Sequence, residues 1–363
     1  MPTPAVPNTM AAVLLTGHGG PDKLEYRTDV PVPSPRPGEV LIAVSAAGIN
    51  NTDINTRLGW YSSSVTGSTA ASASPSTTGG RDGDGSWSGK ALTFPRIQGA
   101  DVCGRIVAVG AGVSPSRVGQ RVLVRTMMRH YVRDQPWGCW TFGSECDGGF
   151  AQFCVAPDDE TFAVECDWSD SELAAIPCAY STAENMLHRA HVRNGERVLV
   201  TGASGGVGLA AVQLAKRRGC EVLALCSPAK AEAVKRAGAS RVLDRNEPLQ
   251  GVEVDVVVDI VGGDGVQSLL SCLTRGGRYV VAGAIAGPMA QIDLRTVYLR
   301  DLSLFGATFQ DDVVFENLVG YIERNEIRPL VSRTFPLQAI RQAQEIFQSK
   351  SLPGKLVLIP PAL

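Results

Sequence analysis

No charge of one sign dominates this chain: 34 basic residues face 36 acidic ones across 363 positions, a formal net charge of −2. No basic block stands out, which argues against nucleic acid as a partner. No apolar run approaches the roughly 20 residues that a membrane-spanning helix needs, so no membrane partner is expected. The opening Met1-Pro2-Thr3-Pro4-Ala5-Val6-Pro7-Asn8 has neither the basic nor the apolar segment of a secretion signal, and residues 1–9 read as a disordered tail. The nine cysteines form no Cys-x-x-Cys pair. An odd, unpatterned set of thiols points to a reducing cytoplasm rather than a disulfide framework.

What is present suits a soluble enzyme. Apolar residues make up 44% and charged residues 19% of a length that accommodates two domains, each with its own core. The most informative segment is Val198-Leu199-Val200-Thr201-Gly202-Ala203-Ser204-Gly205-Gly206-Val207-Gly208, which runs on into Leu209–Lys216. An apolar β-type run stops at small residues and becomes a helical pattern. Backbone N–H groups at such a turn, with the helix dipole behind them, accept a dinucleotide pyrophosphate. The fit to G-x-G-x-x-G is imperfect, because Ala203 stands where the first glycine belongs, ahead of Gly205 and Gly208. A bare turn joining strand to helix is the competing reading. Ser204, Gly205, Gly206 and Val207 are the expected pyrophosphate contacts.

About 20 residues past these glycines, an NAD site offers Asp or Glu to the ribose 2′-hydroxyl. Here the second strand, Cys220–Ser227, ends in Cys226-Ser227, with Lys230 close behind. A hydroxyl and an ammonium attract a 2′-phosphate that a carboxylate would repel, so NADPH is the expected cofactor. Arg245, after a third strand at 241–244, is a second candidate cation. For Lys230 an ordinary solvated lysine is the alternative. Further strands at 255–261, 278–284 and 303–308 alternate with helical patterns, which argues for a parallel sheet covered on both faces. Ligands of such sheets sit at the carboxyl ends of the strands, making Val261, Gly283 and Ala284 candidates on the nicotinamide side.

The first 150 residues differ. Short β-like runs at 11–15, 40–46, 102–109, 121–124 and 149–155, separated by Pro- and Gly-rich turns, suggest a small, mainly antiparallel barrel. Residues 62–90 are Ser, Thr, Ala and Gly with almost no apolar side chains, and read as a flexible insertion beside the expected site. A tolerated surface loop is favoured there over a lid. Residues 172–191 read as a helix broken near Pro177. Two helices at 315–324 and 338–349, then a strand at 355–360, suggest that the chain returns to the first domain.

Jointly, Pro37-Gly38-Glu39-Val40, Ala47-Gly48-Ile49-Asn50, Val107-Ala108-Val109-Gly110, Gly119-Gln120-Arg121-Val122, Asp147-Gly148-Gly149-Phe150-Ala151, the Ala203–Gly208 turn and Gly354-Lys355-Leu356-Val357-Leu358 resemble the medium-chain dehydrogenases/reductases, nearest the quinone oxidoreductase and enoyl-reductase branch. The resemblance implies an α/β fold. A GroES-like, mainly antiparallel barrel would span 10–160 and 310–363, and a doubly wound Rossmann domain 161–309. It also implies a homodimer.

Zinc members of that family carry a Cys after the Gly-Ile segment, then Gly-His-Glu, then a Cys before Ser-Thr. This chain has Asn50-Asn51 at the first position and Gln98-Gly99-Ala100-Asp101 at the second; only Cys178 matches. Catalytic zinc needs three protein ligands and an open position, so no metal is expected. The pair His188 and His191 reads as satisfied or exposed. Without a metal, the natural chemistry is hydride transfer to a substrate already activated by conjugation: a quinone, enone, enal or enoyl thioester. The resemblance implies that Asn50 lies near the nicotinamide ribose, Thr182 against the nicotinamide ring, Lys355 at the cofactor and Tyr61 in the substrate cleft. Tyr61, Asn50 and Asn51 are the catalytic candidates; a packing aromatic is the alternative for Tyr61, and Asp53 is preferred as a helix cap. Arg125, Arg129, His130 and Arg133 form a basic cluster, read as a solvated loop in preference to an anion site. A zinc-type alcohol dehydrogenase or carbonyl reductase, and an NADPH-binding protein without turnover, remain the alternatives.

Overall fold

A computed structural model describes residues 6–69 and 85–362. Residues 197–306 build a six-stranded parallel sheet whose spatial order is 241–244, 221–226, 197–200, 254–259, 273–281 and 303–306. Every neighbouring pair in it is parallel. The order reverses beside the first strand, Arg197–Val200, so a crevice opens there at the carboxyl ends. Val198, Leu199 and Val200 are fully buried because helices cover both faces.

The N-terminal part is a barrel-like pair of mainly antiparallel sheets, with one parallel pair between Val331–Pro336 and Lys355–Ile359. Strand Glu39–Gly48 is its hub, pairing with Cys103–Val109, Phe153–Pro157 and Lys355–Ile359. The C-terminal strand thus re-enters the first domain. The domain boundaries need correction at three points. Thr9 already belongs to strand Thr9–Leu15, so the tail ends before it, and residues 1–5 lie outside the described residues. Strand Thr161–Ala163 pairs with Arg121–Val124 and belongs to the barrel, not the nucleotide domain. Helix Asp312–Glu323 buries Val314, Phe315, Leu318 and Ile322, and Phe315, Leu318 and Ile322 join the core of the nucleotide domain around helix Pro177–Arg189. The return to the barrel starts only at strand Val331–Pro336.

Residues 70–84 of the 62–90 insertion lie outside the described residues. Its flanks are not loose. Trp60 Nε1 donates to Gly67 O, Thr69 N to Ile285 O, Thr69 Oγ1 to Asn55 Oδ1, and Ser88 N to Glu145 Oε1. The sparse hydrophobics suggested a segment unable to order itself; the single Trp87 and these hydrogen bonds anchor its ends.

Candidate active site

A cleft of about 280 Å³ runs between the two domains along the carboxyl ends of the parallel strands. Its floor is the glycine turn. Gly202 has φ +54, so it supplies the left-handed residue that the sequence pattern assigned to the position of Ala203. A side chain at Gly208 would come within 2.3 Å of Gly202 O, which is why helix Gly206–Arg217 can pack so close to the turn. The cap residue, Gly205, makes no side-chain bond to the helix, and a Cβ there would make only an ordinary contact, 3.5 Å from Gly202 O. The first N–H groups of a helix have no intrahelical partner. Ser204, Gly205, Gly206 and Val207 all line the cleft, which therefore has an uncapped helix N-terminus in its floor.

At one end stand three cations. Lys230 and Arg245 both line the cleft, as sequence reading expects, and Lys350 joins them. The Lys230 ammonium donates to the carbonyl of Lys350, while Lys350 Nζ lies 3.3 Å from Asn51 Oδ1. Burial first, then Arg245, lowers the Lys230 pKa. Burial first, then the charge of Lys230, lowers that of Lys350, although much of the Lys350 residue surface meets solvent. Lys350 follows helix Ile340–Gln348 in a left-handed conformation, φ +51. A lysine past the end of a helix is commonplace, so nothing in the sequence linked it to Lys230, 120 residues away.

Two of the expected contacts do not line this cleft. Ser227 is not in the cleft; it caps the short turn Pro228–Lys230, and its carbonyl accepts from Lys230 N. Val261 is also displaced, because Asp259 Oδ1 holds Val261 N at 2.9 Å and directs Ile260 to the cleft instead. The buried Asp259 carboxylate further accepts from Thr201 Oγ1 at 2.6 Å and Tyr279 O–H at 2.5 Å, so it organises the strand end. Gly283, Ala284 and Thr182 do line the cleft.

The third wall is helix Asn51–Leu58. Asn50 caps it, and Asn50 N donates to Asp53 Oδ2 at 2.7 Å; Asp53 is the structural cap preferred from sequence. Burial, with Asp101 nearby, raises the Asp53 carboxyl to about 7. The Asn50 amide is engaged on both sides, donating to Asp101 Oδ2 at 2.8 Å and accepting from Lys355 Nζ at 2.5 Å. Lys355 also donates to Ile49 O at 2.9 Å and Asp101 Oδ2 at 2.8 Å. All three of its N–H groups therefore serve the protein, and Lys355 orders the cleft wall instead of offering an ammonium to a cofactor. Asn50 likewise positions its neighbours and has no free amide group for catalysis. Asn51 bridges Lys350 and Asn55.

Tyr61 lines the cleft, but its phenol donates to Thr52 Oγ1 at 3.1 Å, and burial pushes its pKa upward. Trp87 Nε1 donates to the same oxygen at 2.7 Å. A hydroxyl has two acceptor sites and one hydrogen. With both acceptor sites filled, the Thr52 hydrogen is what remains to be given, on a residue that lines the cleft. Sequence reading passed over Thr52; its only signal was its place directly after Asn50-Asn51.

Where zinc relatives carry ligands, Cys178 is a neutral thiol, its pKa raised by burial and then by Asp101. Asp101 Oδ1 accepts from Cys178 N at 2.6 Å, and its other oxygen meets Lys355. Among the described residues no three His, Cys, Asp or Glu side chains come together as a metal-binding group. His188 pairs with Asp311 at 3.3 Å. The basic cluster is internally paired: Arg125 is buried against Glu160 at 2.5 Å and Asp312 at 2.7 Å, and His130 and Arg133 meet Asp159.

The pattern of the alcohol dehydrogenase GroES-like domain matches residues 36–166, and that of the zinc-binding dehydrogenase matches residues 206–324. A protein of Sinorhizobium meliloti 1021, provisionally named an alcohol dehydrogenase, superposes with a TM-score of 0.89 at 45% identity, covering 98% of each chain. The quinone oxidoreductase of Mus musculus is 29% identical over 96% of this chain and 98% of its own. The acryloyl-coenzyme A reductase of Metallosphaera sedula is 28% identical over 96% and 99%. With a GroES-like barrel joined to a nucleotide-binding sheet, the chain belongs to the medium-chain dehydrogenase/reductase superfamily, whose members are nicotinamide-dependent oxidoreductases. Within it, the chain falls in the quinone oxidoreductase-like branch. No helix of the described residues is long and apolar enough to cross a membrane.

Proposed function

We propose that this protein is a zinc-independent, NADPH-dependent reductase of quinones or α,β-unsaturated carbonyl compounds. The observation that carries the reading is Lys355: its ammonium, bonded to Asn50, Ile49 and Asp101, already supplies the positive charge at the wall where a metal would need ligands. A zinc ion beside that ammonium would be repelled, and one buried neutral thiol cannot hold it. The residues do not fit zinc.

The residues do fit a nicotinamide dinucleotide phosphate. The open helix N-terminus at Gly205–Val207 suits the pyrophosphate, and Thr182, Gly283 and Ala284 flank the nicotinamide end. Lys230, Arg245 and Lys350 suit a 2′-phosphate, with no carboxylate among the described cleft-lining residues to oppose it. NADPH, when bound, supplies the hydride. The Thr52 hydroxyl hydrogen is available to the substrate oxygen and stabilises the negative charge that builds there. Asn51 keeps Lys350 at the cationic end, and the aromatic wall excludes water from the reacting end. The S. meliloti protein's name raises the alcohol dehydrogenase reading; the Lys355 arrangement weighs against it.

Nine free thiols among the described residues support a reducing, cytoplasmic setting. A homodimer is supported by the edge strand Ser303–Gly306 and the neighbouring helix Leu294–Leu299, where Leu294, Tyr298 and Leu299 are 66%, 63% and 58% exposed. The substrate is a small molecule. The test is oxidation of NADPH and of NADH in the presence of quinones, enones, enals and enoyl thioesters, with and without a chelator. Turnover abolished by the chelator and restored by zinc overturns the proposal, as does turnover of simple alcohols alone.

A further inference from the structure

Trp60, Tyr61 and Trp87 meet at the end of the cleft beyond helix Asn51–Leu58, together with Met127, Thr141 and Ile285. Tyr61 and Trp87 have ring centroids 4.6 Å apart, and Trp60 meets Tyr61 edge-on at 5.7 Å. The polar atom of each ring is turned away from a ligand: the Trp87 N–H and the Tyr61 O–H both go to Thr52 Oγ1, and the Trp60 N–H goes to Gly67 O. What these three rings leave for the cleft is carbon surface. Trp87 reaches this place only because the flanks of the insertion are anchored. Its neighbour Ser86 is buried, and Ser88 N is held by Glu145.

Resting on the reductase reading of the cleft, we propose that Trp87 is a specificity-determining residue that selects planar, conjugated rings, making cyclic quinones the preferred substrate class over open-chain enones and acyl thioesters. Aromatic surface favours a flat, polarisable ring through offset or edge-on contact and gives a flexible chain only general apolar burial. The shared Thr52 oxygen couples selection to chemistry. A ring seated against Trp87 and Tyr61 lies beside the Thr52 hydroxyl, whose hydrogen is left to donate to its carbonyl.

The experiment compares kcat/KM for 1,4-naphthoquinone and for but-3-en-2-one in the wild-type, Trp87→Leu and Trp87→Phe proteins, each checked by thermal midpoint. Trp87→Leu should lower the quinone value about tenfold more than the enone value, because loss of the Trp87 N–H to Thr52 weakens both reactions alike and only the quinone also loses ring contact. Trp87→Phe retains a ring and should keep most of the preference. If both substrates change alike in Trp87→Leu, or the quinone is unaffected, the selecting role is overturned while the reductase reading stands. If the wild-type protein reduces neither compound, the reductase reading fails and the selectivity falls with it.

Discussion

Lys355 Nζ lies 2.8 Å from Asp101 Oδ2, with the two side chains 3% and 0% exposed. One residue is in the last strand of the chain and the other just precedes strand Cys103–Val109, so the pair joins distant segments behind the cleft wall. Its other bonds, to Asn50, Ile49 and Cys178, make it the centre of a saturated polar network.

Removing the cation should therefore be costly. Lys355→Met leaves a buried carboxylate unpaired and is expected to lower unfolding free energy by about 3–5 kcal/mol in urea titration. Adding Asp101→Asn should recover part of that loss, because the orphaned charge goes with it.

Cofactor choice is the second test. Lys230→Ala and Lys350→Ala should each lower the ratio of NADPH to NADH efficiency by about tenfold, the scale of one charge-assisted hydrogen bond. An unchanged ratio in both variants removes the 2′-phosphate assignment.

At the reacting end, Thr52→Val should cut kcat by roughly 100-fold with cofactor KM unchanged, the usual effect of deleting a donor to a developing oxyanion. Tyr61→Phe, which only frees an acceptor site on Thr52, should cost less, on the order of several-fold in kcat, with cofactor affinity again unchanged. Steady-state kinetics at saturating NADPH separates the two.

Asp53 gives a pH signature. Its folded pKa of about 7 lies above the ordinary value of 3.8, so the folded state holds a proton that the unfolded chain has released across that window. This contribution to stability is complete below about pH 4 and is lost as pH rises toward 7. Asp53→Asn should flatten the decline, measured as denaturation midpoint against pH.

The quaternary proposal predicts that Leu304→Glu, on the exposed edge strand, shifts the protein to a monomer by light scattering without unfolding it.

The nucleotide domain was largely legible because its central strands, Arg197–Val200 and Val254–Asp259, are mostly buried, valine-rich runs soon followed by glycine, a local pattern. The site was legible only where local chemistry decides it. Gly205 and Lys230 follow from spacing along the chain, whereas Lys350, Thr52 and Trp87 become neighbours only through folding across long sequence separations. Val261 and Ile260 differ by one step at a strand end, and the carboxylate of Asp259 decides between them. Lys355 and Asn50 do line the cleft, but a polar side chain near a cleft reads the same in sequence whether it is free or saturated, so their bonds to each other and to Asp101 were not legible. The helix Asp312–Glu323 was assigned to the wrong body because its amphipathic pattern does not say which core it covers.

The glycine turn is also stitched to the barrel. Gly205 bridges Gly354, and Gly354 N donates to Ser204 O at 2.9 Å. That seam fixes the nucleotide loop to the strand carrying Lys355. The residues suited to a pyrophosphate and the saturated network around Lys355 are therefore neighbours through the backbone itself, and a change at either is felt at the other.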